Sequence, residues 1–219
     1  MISLLRIGAV AVGRDGFRGE VRAAVMDPVA AVVTHIAVEP EGRSGLARLV
    51  PLTLAEAEAD TDDKDVRATP GTLRLGCTEE EFKALKPAEE TLAEFAVGQT
   101  VPVQLLPAGW RGTGEPVEDG GDILRVPERE TVDVTPEGEV EEHGGDHVHA
   151  TDGDIGQLRG FRLDPASGRV TEVLLGEGHL WGRKEVAIGF DVITSFENGI
   201  TVSLSKREVA GLPPDDTGH

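Results

Sequence analysis

Cysteine occurs once in this chain of 219 residues, tyrosine not at all, and aromatics make up 4% of it. The lone Cys77 excludes an intrachain disulfide and any multi-cysteine zinc site, which fits a reducing setting. No apolar run approaches the ~18–20 residues of a spanning helix. The opening "MISLLRIGAVAVG" lacks the long apolar region of a secretory signal, so the expected location is cytoplasmic, with no membrane span. Basic residues are scarce, 21 Lys and Arg against 40 Asp and Glu, for a formal charge of −19. Residues 1–54 are nearly balanced, with 5 acidic and 6 basic side chains, whereas residues 99–142 carry 11 and 3. A field of that sign repels phosphate, so no direct nucleic-acid contact is expected, although docking onto basic proteins stays open.

Catalytic patterns are also missing. Ser44, Ser167, Ser195 and Ser203 lack the context of a nucleophile elbow. Cys77 precedes a helix-capping threonine, where a thiolate gains stabilisation, but no base partner is recognisable. The chain reads as non-enzymatic and without a cofactor.

What the chain does contain is a repeat. Residues 14–38, "RDGFRGEVRAAVMDPVAAVVTHIAV", align without a gap on residues 151–175, "TDGDIGQLRGFRLDPASGRVTEVLL", at an offset of 137. Eight of the 25 positions are identical, where average composition gives roughly one or two. The shared residues include Asp15/Asp152, Gly16/Gly153, Gly19/Gly156, Asp27/Asp164 and Pro28/Pro165. These are turn and bend residues: Asp-Gly suits a tight hairpin, Asp-Pro presets a turn, and a glycine inside a strand marks a bulge or close backbone approach. Further on, "VPL" (50–52) matches "IGF" (188–190), and "TEEEFKALKP" (78–87) matches "SKREVAGLPP" (205–214). Thr78 with Glu81, and Ser205 with Glu208, form the hydroxyl-x-x-Glu box that opens a helix. The first copy is longer in between, the surplus falling in the polar tract "AEADTDDKDVRATPG", which lengthens at little entropic cost.

Each copy is β-rich. "ITVSL" (200–204) alternates cleanly, and "VAIGFDV" places Val186, Ile188, Phe190 and Val192 on one face. "AEETLAEFAVG" (88–98) suits a helical extension, since Leu92, Phe95 and Ala96 share a helix face. Val101, Val103 and Leu105 alternate as in a strand, and residues 107–122 read as a flexible linker.

The order D-G-x-x-G-x-[VL]-R…D-P…V-T-x-[IV], followed by "EGHLWGRKEVAI", resembles the PRC-barrel family, the small β-barrel of the photosynthetic reaction-centre H subunit, with a relative in the ribosome maturation factor. The resemblance covers roughly residues 7–87 and 138–214. It departs at Gly189, where such copies carry proline, as the first copy does at Pro51; a looser strand exit is expected there. The implied fold is mainly β: two small PRC-type β-barrels in tandem, each followed by a short helix, joined by an acidic Pro/Gly-rich linker. The expected divisions are residues 1–98, a linker at 99–137, and 138–219. The resemblance implies docking and assembly and carries no catalytic residues.

Two candidate sites follow. His143, His147 and His149 crowd beside Asp146, Asp152 and Asp154. On a strand 147 and 149 point to one side, and imidazoles with a carboxylate suit zinc or nickel. The first copy has Val10 and Val12 at the latter two places, so a wet strand face is the alternative. Asp152-Gly153-Asp154 lacks the other ligands of a calcium loop and reads as a hairpin turn. Trp181, followed by Arg183 and Lys184 in a glycine-flanked loop, has the composition of an interface hot spot, or else Trp181 lids its own barrel. Trp110 lies in the linker. The leading expectation is therefore an adaptor for protein partners, a second copy of the chain among them. The alternatives are a metal or small-ligand sensor at the His143/His147/His149 cluster, and a ribosome-associated factor that binds a ribosomal protein.

Overall fold

Residues 14–38 and 151–175 fold alike. The structure, a computed structural model, describes residues 2–43, 46–57, 71–95, 99–102, 128–176, 185–196 and 199–215. The first half runs β1 (Leu4–Arg6), β2 (Val10–Val12), β3 (Arg18–Asp27), β4 (Val32–Pro40), β5 (Arg48–Pro51), a 3-10 turn at Leu52–Leu54, β6 (Ala55–Ala57), β7 (Leu73–Leu75) and α1 (Glu79–Lys83). Three further strands follow: β8 (Glu89–Phe95), β9 (Gln99–Pro102) and β10 (Glu128–Asp133). The second half repeats the first as β11 (Val140–His143), β12 (His147–Ala150), β13 (Gly153–Leu163), β14 (Val170–Gly176), β15 (Val186–Gly189), a 3-10 turn at Phe190–Val192, β16 (Ile193–Ser195), β17 (Ile200–Val202) and α2 (Lys206–Ala210).

The protein is mainly β, and its two large sheets share one strand order, β5-β4-β3-β2-β7-β6 and β15-β14-β13-β12-β17-β16. In each, the strands at the two ends of the path are joined by a single 3-10 turn. The sheet therefore curls back on itself in a barrel-like form. Gly189 adopts φ −59°, ψ 142°, close to the −54°, 135° of Pro51. The strand exit expected to loosen there takes the proline geometry.

The shared residues act as their types suggest. Asp27 Oδ1 accepts from the backbone N–H of Val29 and Ala30, and Asp164 Oδ1 from those of Ala166 and Ser167. Both capping boxes form. Asp15 and Asp152 do more than turn a hairpin: each also accepts from the first N–H of its own unit's helix, that of Glu79 at 2.9 Å and that of Lys206 at 2.8 Å. Gly156 lies opposite a register shift between Val148 and His149. Gly19 answers to a different need, since a Cβ there would stand 2.7 Å from the Glu39 carbonyl oxygen.

The remaining strands cross between the halves. β1 pairs antiparallel with β13, Leu5 opposite Phe161, and β11 pairs with β3, Glu142 opposite Ala24. The two exchanges are equivalent under the 137-residue offset. The following turns are equivalent too: Ile7 N–H donates to Arg159 O and Gly144 N–H to Arg22 O, while Gly8 donates to Val21 O and Gly145 to Leu158 O. Each half thus gives its first strand to the other. One buried cluster accordingly spans both, from Leu5, Val21, Ile36, Leu75 and Phe82 to Leu158, Phe161, Ile188 and Val209. The chain after each helix covers the outer edge of β5 or β15, where Arg48 bridges Pro87 and Val186 bridges Pro214. Covering an edge in this way blocks edge-to-edge association.

Residues 88–98 correct the expectation of a helix. They contain β8, which pairs with β9 on one side and β10 on the other. Backbone hydrogen bonds to two neighbours outweigh the modest helix preference of so short a segment. β9 includes Val101. Val103, Leu105 and the 107–122 stretch lie outside the described residues, as does most of the surplus tract of the first copy.

Candidate ligand pocket beside the second crossing strand

β11 is placed by its pairing with β3, which turns the side chain of its third residue inward. In β1 the equivalent residue is Leu5, wholly buried. In β11 it is Glu142, whose exposure is only 2%. Its Oε2 has no hydrogen-bond partner in the protein. Burial pushes this carboxyl up to about 8, and the Asp146 carboxylate adds to the rise.

Glu142 lines a cleft of about 740 Å³ together with Glu141, Asp146, His147, His149, Asp154 and Phe196. The duplication supplies an internal comparison. At the offset of 137, Glu141, Glu142, Asp146, His147, His149 and Asp154 stand where the first half has Leu4, Leu5, Ala9, Val10, Val12 and Phe17. The same backbone is therefore built once with apolar side chains and once with ionisable ones. In the first half Phe17 packs on Phe82, ring centroids 4.9 Å apart. In the second half Asp154 replaces that ring, pairs with His147 Nδ1, and accepts from Gly156 N–H at 2.9 Å.

The other carboxylates have donors. Asp146 Oδ2 accepts from His143 N–H at 2.5 Å, closing the turn that follows β11. Glu141 Oε2 accepts from Thr135 Oγ1 at 3.1 Å, and its Oε1 lies 3.6 Å from His143 Nε2. The His147 and His149 rings stack, centroids 6.2 Å apart, on one side of β12 as their spacing predicts. His143 belongs to β11 and does not line the cleft. Among the described residues no group of three or more His, Cys, Asp or Glu is arranged to hold a metal ion.

The gapless alignment from residue 14, the comparison of Val10 and Val12 with His147 and His149, and the resemblance from residue 7 all stop short of the pair Leu5 and Glu142. Extending the offset seven to ten residues upstream sets Glu142 against Leu5, which is the signal that would have found it. Cys77 is buried, and desolvation raises its thiol foremost, as for an inert core cysteine. Asp152 serves as a helix cap. Trp110, Trp181, Arg183 and Lys184 lie outside the described residues. No helix among the described residues is long and apolar enough to cross a membrane. No protein-family model matches the chain, and no curated protein matches it.

Proposed function

We propose that the chain is a non-enzymatic assembly adaptor of the PRC-barrel type: two barrels in tandem, joined by the acidic segment 99–137, holding protein partners against a rigid frame. The observation that supports this most is the reciprocal exchange of β1 and β11, which puts both halves on one core. A shared core fixes the angle between two binding units, as a scaffold requires, and costs nothing in catalytic freedom. Trp181, with Arg183 and Lys184, is the proposed anchor for the partner, and the acidic charge favours basic proteins, ribosomal ones included. Native mass spectrometry and reconstitution with purified candidate partners test the reading, comparing the natural chain with Trp181→Ala. A chain that runs only as a lone monomer and retains no purified partner would end it; partners held equally by Trp181→Ala would remove that residue from it.

A second reading, small-ligand sensing, is favoured by the Glu142 cleft, where six apolar positions of one half are ionisable in the other. Zinc and nickel calorimetry, with the double variant His147→Ala/His149→Ala, tests the metal form of this reading. Heat that survives the double variant would exclude the histidines.

A further inference from the structure

The Glu142 cleft can be read for the chemistry of what fills it. The first half shows that the fold does not need ionisable groups at these positions. Yet the second half buries a carboxyl whose Oε2 has no partner, an arrangement that costs stability. Three neighbouring carboxylates, those of Glu141, Asp146 and Asp154, already accept hydrogen bonds from the protein. Glu142 is therefore where an incoming donor would find an unused acceptor. Three carboxylates, those of Glu141, Asp146 and Asp154, line the cleft beside the Glu142 carboxyl, and no Lys or Arg does so among the described residues; the complementary charge is positive.

Size and shape narrow the class. About 740 Å³ is within the range of small-molecule sites, and far above the roughly 30 Å³ share of a single water. A bare divalent ion would leave most of it unfilled, and among the described residues no three-donor set is assembled for one. Phe196 offers an apolar wall, backed by Phe190 at 5.9 Å between centroids. An aromatic face beside a carboxylate accommodates an alkyl stem and attracts a cation.

We propose that this cleft binds a primary ammonium or guanidinium group, its N–H donors meeting the Glu142 carboxyl oxygens and its alkyl stem lying against Phe196. The proposal rests on the small-ligand reading above and names its ligand class. The same group occurs on free diamines and on the Lys or Arg side chain of a partner protein.

The test is calorimetry and thermal unfolding of the full chain with putrescine, agmatine, blocked peptides carrying one Lys or one Arg, a norleucine control peptide, and zinc or nickel. Amine or guanidinium probes at saturating concentration are expected to raise Tm by several degrees and to release heat, with both effects lost in Glu142→Leu and Glu142→Gln. Leucine is the residue the first half carries at this place, and glutamine keeps the size; circular dichroism verifies that each variant folds. Binding of putrescine or agmatine points to a free ligand, and binding of the Lys or Arg peptide alone to a partner's side chain; either supports the proposal. Equal binding of the norleucine peptide, or undiminished amine binding by both variants, overturns it. Metal binding without amine binding overturns the ligand class and leaves the sensing reading standing. If nothing binds, both fall.

Discussion

Ile7 and Gly144 meet where the two halves exchange strands: a Cβ on Gly144 would stand 2.8 Å from Ile7 Cγ2. The two positions are equivalent under the repeat offset, so the internal pseudo-twofold axis passes between them. A close approach at the axis admits one large side chain and one absent one. Gly144→Val is expected to destabilise by about 1–3 kcal/mol through overpacking, and Ile7→Ala in the same chain should recover part of that loss. Urea unfolding of the two single variants and the double variant measures the coupling. Strictly additive losses would show that the two positions do not press on each other.

A second pair of equivalents differs in strain. Ala31 has φ 56°, and Gly168, its counterpart, has φ 71°. A left-handed conformation costs an L-residue roughly 1 kcal/mol relative to glycine. Ala31→Gly should therefore stabilise the protein slightly, by up to ~1 kcal/mol, despite the added freedom of the unfolded chain. Gly168→Ala should cost a similar amount, with no clash, because its nearest neighbours would stand at 3.5 Å or more. Shifts in denaturant midpoint of the opposite sign would refute this account of the turn.

Leu5 belongs to the first half in sequence and to β13 of the second half in pairing. Leu5→Ala should cost about 2–5 kcal/mol, as for a fully buried leucine. Because one core spans both halves, the loss should appear in a single cooperative transition, with calorimetric and van't Hoff enthalpies equal. Two separate transitions, only one of them moved by the substitution, would mean that the halves fold independently.

Stability should fall as pH rises from about 5 to about 8. The Glu142 carboxyl has its folded value raised to about 8 from the ordinary 4.5. Between those values the unfolded chain gives up this proton and the folded chain keeps it, so stability is full below the unfolded value and declines until the folded value is passed. The total loss from this group is on the order of a few kcal/mol. Asp15, Glu81 and Glu208 act oppositely at the acid end, where backbone and side-chain donors at the helix caps lower each carboxyl. Their contribution is present above the unfolded values and is lost as pH falls through the folded ones. Glu142→Gln should flatten the neutral limb and leave the acid limb intact. Parallel pH profiles for variant and natural chain, followed by urea midpoint, would contradict the assignment.

Much of each unit was legible because its fixed points are local. Asp-Pro and the two hydroxyl-x-x-Glu boxes act over two to four residues, and each formed where its spacing placed it. The stacking of His147 on His149 follows likewise from strand alternation. Residues 89–95 have a periodicity that suits a helix, but their hydrogen-bond partners are β9, a few residues on, and β10, more than thirty residues on, and the second of these is not visible locally. The repeat offset sets Glu142 against Leu5, but the burial itself depends on which strand β11 joins, and that strand lies more than a hundred residues earlier.

By itself, then, the sequence determined that the chain is duplicated, where its backbone turns, and which helices are capped, since these depend on the φ preferences and hydrogen-bonding reach of near neighbours. Only the tertiary structure decided that the halves trade their first strands and share a core, and that this trade buries a carboxyl in one half where the other buries a leucine. Strand exchange is a choice between partners of similar pairing energy, settled by the whole core at once rather than by any one segment.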